Sequence, residues 1–245
     1  VGVLVLLPEA ERTHRVIALV PAFNAAATVG ATVTALKAIA KIDDIIVIDD
    51  GSNDSTDAEA AKAGARVIRL SQNRGKGEAL NAGLEEVLKE NAGGGTGTNA
   101  IVALVDSDLG SSAVEFEKLI DPVLKNQVDM TIARFPKALR KGGFGLLKRT
   151  ARNGLKLFTG IEFDSPLSGQ RVLNGRAIEA ISSFESGWGV EVGMTIDVCR
   201  KGLCVREVPV QMKHNETGRD LAGFQHRGQQ FMGVIRVFAK RLMTR

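Results

Sequence analysis

The sequence predicts an α/β fold in which a mostly parallel sheet carries helices on both faces, and two features of the chain point there. Short apolar runs rich in Val and Ile alternate with stretches whose apolar residues recur every three or four positions, the pattern of strands joined by crossover helices. The first four runs lead into clusters of Asp, Asn, Gly and Pro, residues that turn a chain sharply as it leaves a strand. At 245 residues the chain can bury a substantial core and sits near the upper end for one unit, so a single domain of two abutting lobes is expected.

Each element follows in order. The opening Val1-Gly2-Val3-Leu4-Val5-Leu6-Leu7 is too short for a membrane span and lacks the basic flank of a signal peptide, so residues 1–15 read as an N-terminal arm, either a strand or loose. Val16 to Val20 is the first strand, and Val29, Val33 and Leu36 mark the helix after it. Ile45 to Ile48 is the second strand, with a helix opening near Asp54 or Ser55, and Val67 to Leu70 is the third. Leu80, Leu84, Val87 and Leu88 share one face of a helix that leads through Gly93-Gly94-Gly95-Thr96-Gly97 to the fourth strand, Ile101 to Val105. Phe116, Leu119, Ile120, Val123 and Leu124 mark another helix, and Asp129 to Ala133 a fifth strand. Beyond it the periodicity loosens through a basic stretch. It recovers in a helix around Val190 to Cys199, a strand at Val205 to Val208, and a final amphipathic helix with Phe231, Val234, Ile235, Phe238 and Leu242 on one side. No internal repeat is present.

Composition narrows the function classes. Hydrophobic residues make up 44% and charged ones 24%, values of a soluble globular protein. The formal net charge is +4, and Lys137, Arg140, Lys141, Lys148, Arg149, Arg152 and Lys156 crowd one stretch. Phosphorylated substrates, polyanions or an anionic membrane face suit such a run, and a solvated helix and loop is the alternative. Nucleic acid is not expected as a partner, because the chain has no tyrosine, one tryptophan and no finger or helix-turn-helix spacing. Cys199 and Cys204 lack companions for a metal knuckle and are expected to be buried thiols in a reducing cytoplasm.

In open α/β sheets ligands sit at the carboxyl ends of the strands. The segments at those ends are Pro21-Ala22-Phe23-Asn24, Asp49-Asp50-Gly51-Ser52-Asn53-Asp54, Asn73-Arg74-Gly75-Lys76-Gly77-Glu78 and Asp106-Ser107-Asp108. In extended chain, residues i and i+2 point the same way, so Asp106 and Asp108 can converge on one hard cation, Mg²⁺ or Mn²⁺, or on a cation and a ribose. Lys76 stands in a glycine-flanked turn that lets backbone and ammonium approach a phosphate closely. Together these segments suit a nucleoside diphosphate.

The four segments resemble the GT-A (Rossmann-like) nucleotide-sugar glycosyltransferases, especially glycosyltransferase family two, over residues 16 to 135. Ser165-Pro166-Leu167-Ser168-Gly169-Gln170, Gly189-Val190-Glu191-Val192-Gly193 and the strand ending near His214 are similar as well. Gly75-Lys76-Gly77-Glu78-Ala79-Leu80, Val105-Asp106-Ser107-Asp108-Leu109 and the Pro-Leu-Ser-Gly segment look most like glucosyl-3-phosphoglycerate synthases; Asp49-Asp50-Gly51-Ser52 and Val205 to Val210 look equally like polyprenyl-phosphate sugar transferases. The resemblance implies that 16–135 is a nucleotide-sugar-binding lobe, 136–222 an acceptor-binding lobe and 223–245 a C-terminal amphipathic helix. It implies that Pro21, Ala22, Phe23, Asn24, Asp49 or Asp50, Gly51, Asp106 and Ser107 line the nucleotide, that Lys76 touches phosphate, and that Asp108, Asp106 and His214 hold the metal. Ser168, Gly169, Gln170 and Trp188 fall on the sugar and acceptor side. The chain departs from the family in carrying Ala25 where a glutamate usually follows the first-motif asparagine.

Several of these residues have a second role open to them. Asp49 and Asp50 can cap the following turn, although one carboxylate suffices for that. His214 is a metal ligand or a surface histidine. Glu191 is a catalytic carboxylate facing the sugar or a helix's favourable N-terminal charge. Trp188 stacks on an acceptor or packs, and Arg134 pairs with pyrophosphate or with a surface acid. The expected reaction is transfer from a nucleotide sugar, a UDP-sugar such as UDP-glucose, with the metal on Asp108 and Lys76 stabilising the departing diphosphate and Glu191 as base or electrostatic stabiliser. The acceptor is expected to be a phosphorylated small molecule or a polyprenyl phosphate, the latter requiring peripheral contact with the inner membrane face through the basic run and the last helix. A homodimer is compatible with the sequence. A sugar nucleotidyltransferase and a non-catalytic, membrane-associated nucleotide-binding scaffold are the alternatives.

Overall fold

Along β1 (Arg15–Ala22) successive side chains alternate between two cores. Ile17 and Leu19 join one, Val16, Ala18 and Val20 the other, and all five are fully buried. A strand apolar on both faces belongs inside a sheet covered on both sides. The computed structural model describes residues 14–91, 99–136, 145–181, 184–185, 189–212 and 221–243, without the side chains of 91, 145, 146 and 221–230. Most of the N-terminal arm, the Gly93 to Gly97 connector, the Lys137 to Lys141 part of the basic run, Trp188 and His214 lie outside the described residues.

β1 pairs in parallel with β2 (Asp44–Asp49) and β4 (Ala100–Leu104), and β2 with β3 (Arg66–Arg69). β5 (Met130–Arg134) and β7 (Val205–Pro209) are also parallel to each other. Between β4 and β5 runs β6 (Arg171–Leu173), antiparallel to both, giving the order β3-β2-β1-β4-β6-β5-β7. The mostly parallel sheet expected from the sequence is therefore present. Helices α1 (Val29–Lys37) and α4 (Phe116–Leu124) seal one face, with α2 (Thr56–Lys62) beside α1. Helices α3 (Lys76–Asn91), α5 (Gly145–Thr159), α6 (Gly175–Ala180), α7 (Val190–Arg200) and α8 (Leu221–Met243) gather on the other.

Three elements were not anticipated. β6 has three residues and opens on an arginine, so no alternation betrays it. α5 buries Leu147, Ala151 and Leu155, one every fourth residue, but lysines and arginines between them blur the pattern. α6 is six residues long, started by Asn174, whose side chain accepts from the Ala177 amide at 3.0 Å. Antiparallel β6 matters most for function. Its pairing of Arg171 with Leu104 delivers the segment ahead of it, Ser168 to Gln170, to the carboxyl end of β4.

The last helix is amphipathic, but its inner face differs from the expected one. Val234, Val237, Phe238 and Arg241 are buried, whereas Ile235 and Leu242 are exposed. Arg241 turns inward because two acids await it: Nε and Nη2 bind Asp197 at 2.8 and 2.5 Å, and Nη1 binds Glu185 at 2.5 Å. Glu185 also takes Lys240 at 3.0 Å. Burial pushes the Glu185 carboxyl up, and the bonds from Lys240 and Arg241 outweigh it, holding it below the usual range. The cysteine expectation also needs correction: Cys204 is exposed and Cys199 half-buried, with burial pushing the Cys199 thiol up to about 11.

Two tests follow from this packing. The Phe238 ring stacks on Phe158, centroids 5.4 Å apart, and lies where a Cβ on Gly154 would sit. Gly154→Val should therefore cost roughly 1–3 kcal/mol by overpacking and lower Tm in a thermal melt, although valine is the better helix former. Because the Glu185 pKa is depressed in the folded state, its contribution is present above the unfolded value of about 4.3 and is lost as pH falls below it. Amide exchange in α8 should then rise at acid pH in the wild type, and Glu185→Gln should flatten that dependence.

Candidate functional site

The loops after β1, β2 and β3 are sewn to one another by the residues the sequence singled out. Asp49 is fully buried; its Oδ1 accepts from the Ser52 amide at 2.9 Å, and Arg69 Nε lies 3.6 Å from its Oδ2. Asp50 does not cap its own turn. Its two oxygens accept from the amides of Arg74 and Gly75 at 2.8 and 2.7 Å, fixing the turn that carries Lys76. Gly51, at φ +71°, passes so close to the next loop that a Cβ would lie 2.6 Å from the Gln72 carbonyl carbon; no other residue fits. Asn24, also left-handed at φ 49°, donates its amide to Ser52 Oγ and accepts from the Asn53 amide, both at 2.9 Å. Pro21 and Ala22 end β1 beside Asp49, to which Ala22 is registered, and Phe23 is exposed.

The centre of the edge is a lysine between two acids. Lys76 opens α3, and its Nζ donates to Asp106 Oδ1 at 2.8 Å and to Glu191 Oε1 at 3.2 Å. The three side chains are 29%, 34% and 15% exposed, so the pair energies exceed those of surface bridges. Burial acts to depress the Lys76 pKa, but the charges of Asp106 and Glu191 and their hydrogen bonds overcome it, holding the ammonium above the usual lysine range. Lys76 is thus a fixed cation near neutral pH.

Gln170 orders Asp106 from the other side. Its Oε1 accepts from the Asp106 amide at 3.0 Å, and its Nε2 donates to Asp106 Oδ2. Gly169 lies against the same pair, and a Cβ there would overlap Lys76 Nζ and stand 3.2 Å from Asp106 Oδ2. Ser107 is anchored through its carbonyl by the Thr32 hydroxyl at 3.0 Å, and the same hydroxyl accepts from Gly110 at 2.9 Å. Thr32 therefore shapes the turn holding Asp108, and nothing in its helical context signals that. Asp108 is half-buried at the turn.

Other candidates fall elsewhere. Arg134 ends β5, beyond β6, and pairs with exposed Asp164 at 3.5 Å. Ser168 is buried, with no hydrogen bond to its hydroxyl. Among the described residues no cluster of three or more His, Cys, Asp and Glu is placed to hold a metal.

Two substitutions test this geometry. On the expectation that Lys76 meets the phosphates of UDP, Lys76→Ala removes a charge-assisted contact worth about 1.5–3 kcal/mol, and UDP affinity by calorimetry should fall roughly ten- to hundred-fold with acceptor preference unchanged. Gly169→Ala should displace the flexible Lys76 ammonium and press on the Asp106 carboxylate. Its Tm should stay near wild type while UDP affinity falls about ten-fold.

Comparison with known proteins gives this edge its family. The profile of glycosyl transferase family 2 matches residues 17–174, the span that holds Asp49, Asp50, Lys76, Asp106, Asp108 and Gln170 but not Glu191. The chain is 31% identical over 205 residues to the uncharacterized protein MJ1222 of Methanocaldococcus jannaschii, covering 81% of each. It is 29% identical over 210 residues to glucosyl-3-phosphoglycerate synthase of Mycolicibacterium smegmatis, covering 77% of this chain and 66% of that one, a little under two thirds of the relative's length. The crystal structure of glucosyl-3-phosphoglycerate synthase from Mycobacterium tuberculosis with Mn²⁺, UDP-glucose and phosphoglyceric acid superposes with a TM-score of 0.73 at 25% identity, over 93% of this chain and 79% of that one. The family match decides for glycosyl transfer over the nucleotidyltransferase alternative. With a seven-stranded sheet of the same architecture and the Asp106-Ser107-Asp108 turn at its carboxyl edge, the chain belongs to glycosyl transferase family 2 and is a glycosyltransferase.

Proposed function

We propose that the protein transfers a hexose from a UDP-sugar, UDP-glucose first among them, to a phosphorylated acceptor with the help of Mg²⁺ or Mn²⁺. The observation that carries this is Lys76 bound at once to Asp106 and Glu191, the first on the donor side and the second on the acceptor side in this reading. The charge of the edge supports the metal. Asp106, Asp108 and Glu191 outnumber Lys76, and a diphosphate brought beside them adds further negative charge that one ammonium cannot balance. Paired carboxylates that leave most of a coordination shell to water and phosphate oxygens are what these hard cations prefer. Asp106 and Asp108 would hold the ion, with His214 as a candidate third ligand, and the ion when bound neutralises charge on the diphosphate.

The chain's own residues then have distinct tasks. Asp50 fixes the Arg74–Gly75 turn, which aims Lys76 at the diphosphate as it departs. Gln170 holds Asp106 in place as Lys76 exchanges a carboxylate partner for phosphate oxygens. Glu191, freed by that exchange, faces the acceptor as base for a hydroxyl or as a stabiliser of positive charge on the sugar ring. A phosphate acceptor arrives ionised and needs no base. Similarity to an enzyme crystallised with UDP-glucose and phosphoglyceric acid supports a soluble phosphorylated acceptor.

Exposed Met232, Ile235, Leu242 and Met243 on α8 favour a second acceptor source, a polyprenyl phosphate at a membrane surface. No helix among the described residues is long and apolar enough to cross a membrane, so contact of this kind would be peripheral.

A donor screen with product identification tests the transfer itself. Asp108→Asn should reduce turnover by on the order of a hundred-fold or more with an unchanged circular dichroism spectrum, and full turnover in chelator would remove the metal from the scheme. Co-sedimentation with vesicles with and without anionic lipid, alongside turnover of 3-phosphoglycerate, separates the two acceptor sources. Binding to neither vesicle with turnover of the soluble acceptor excludes the lipid.

A further inference from the structure

Arg171 is the largest fully buried side chain in the described structure, and its partners are all neutral. Nε donates to the Ser168 carbonyl at 2.9 Å, Nη2 to the Pro166 carbonyl at 3.4 Å, and Nη1 to Thr195 Oγ1 at 2.8 Å, with Met130 Sδ at 3.8 Å. Burial pulls its pKa down to about 10, opposed by the more distant charges of Glu191, Cys199 and Glu207, so it stays cationic near neutral pH. A buried guanidinium without a carboxylate beside it is costly, and an apolar side chain of similar volume would fill the space more cheaply. Packing alone therefore does not account for it.

What the guanidinium does is hold backbone. It fixes two carbonyls of the segment between α5 and β6, while Glu207, on β7, takes the amides of that segment's start: Asp164 at 2.8 Å and Ser165 at 2.6 Å. An anion thus grips the donors and a cation the acceptors of one short loop. The far end of that loop is Gly169–Gln170, which lies on Lys76 and Asp106. The third contact reaches the other acid. Thr195 Oγ1, which accepts from Arg171, donates to the Glu191 carbonyl at 2.8 Å.

We propose that Arg171 is a positioning residue for sugar transfer, acting with Glu207 to hold residues 164–170 and the first turn of α7 so that Gln170 and Glu191 meet Asp106 and Lys76 in register. This rests on the transfer site described above. Among the described residues the hydrogen bonds of Arg171 go to Ser168, Pro166, Thr195 and Met130 and not to the loops after β1, β2 and β3, so the transfer step should respond more strongly than donor binding.

Arg171→Met keeps the volume and removes charge and donors; Arg171→Lys keeps the charge without the fork; Glu207→Gln weakens the opposite grip. Against the roughly ten-fold expected of Gly169→Ala, whose added carbon meets Lys76 directly, UDP affinity by calorimetry should fall less in Arg171→Met. Its kcat should fall at least about ten-fold, as expected for small misplacement of reacting groups, and exchange at the Asp164 and Ser165 amides should rise. Arg171→Lys should recover part of kcat, and Glu207→Gln should raise the same exchange and lower kcat. A folded Arg171→Met with wild-type kcat overturns the proposal. Should that variant not fold, wild-type kcat and exchange in both Arg171→Lys and Glu207→Gln overturn it instead. Exchange does not depend on turnover: faster exchange in the variants of a wild type that is inactive on UDP-sugars would support the clamp and sink the transfer reading.

Discussion

The bond that the site depends on is the one Lys76 shares between Asp106 and Glu191. A half-buried ammonium is tolerable only with its counter-charges fixed, and each of those is fixed by something else. Asp106 is held in backbone and side chain by Gln170. Glu191 stands in the first turn of α7, where an acid suits the helix dipole and where Thr195 takes its carbonyl. The two roles weighed for Glu191 are therefore not exclusive. The same position that favours an acid at a helix start delivers that acid to Lys76.

Buried charge recurs around this bond, and in each case it secures backbone or another element. Asp50 lies almost wholly buried and grips two amides of the turn before α3. Arg241, near the end of the described chain, binds Asp197 in the middle of α7 and Glu185 just ahead of it, so the last helix braces the one that carries Glu191. Such pairs add little net stability compared with apolar packing, but breaking one leaves a buried charge alone. Their effect is to make a displaced loop or helix expensive, which suits a site assembled from six segments spread along the sequence.

Much of the strand-end part of the site was legible in the chain because its geometry is local. β1, β2, β3 and β4 alternate with helices at the right periods, and each strand ends in the loop that carries the chemistry, so finding the strand found the site residue. Asp49, Asp50, Lys76, Asp106 and Asp108 all came from that rule. Their detailed roles did not. The two aspartates of the second motif serve different loops, Asp49 its own and Asp50 the next, and only the approach of Gly51 to Gln72 shows why they must stand side by side.

The rest of the site was harder to read because its geometry is non-local. Gln170 reaches Asp106 through antiparallel β6, a three-residue strand inserted between β4 and β5, and no sequence period marks it. Arg171 reads as a surface residue by composition and is fully buried; its hydroxyl partner, Thr195, is 24 residues away. α5 hid its buried leucines among basic residues, and α8 turned Arg241 inward and Ile235 outward because Asp197 and Glu185 were there to meet the arginine. The two parts nevertheless meet at one point: the strand-end part owes its geometry to residues adjacent in sequence, the rest to crossing strands and buried ion pairs, and Gln170 joins them through Asp106.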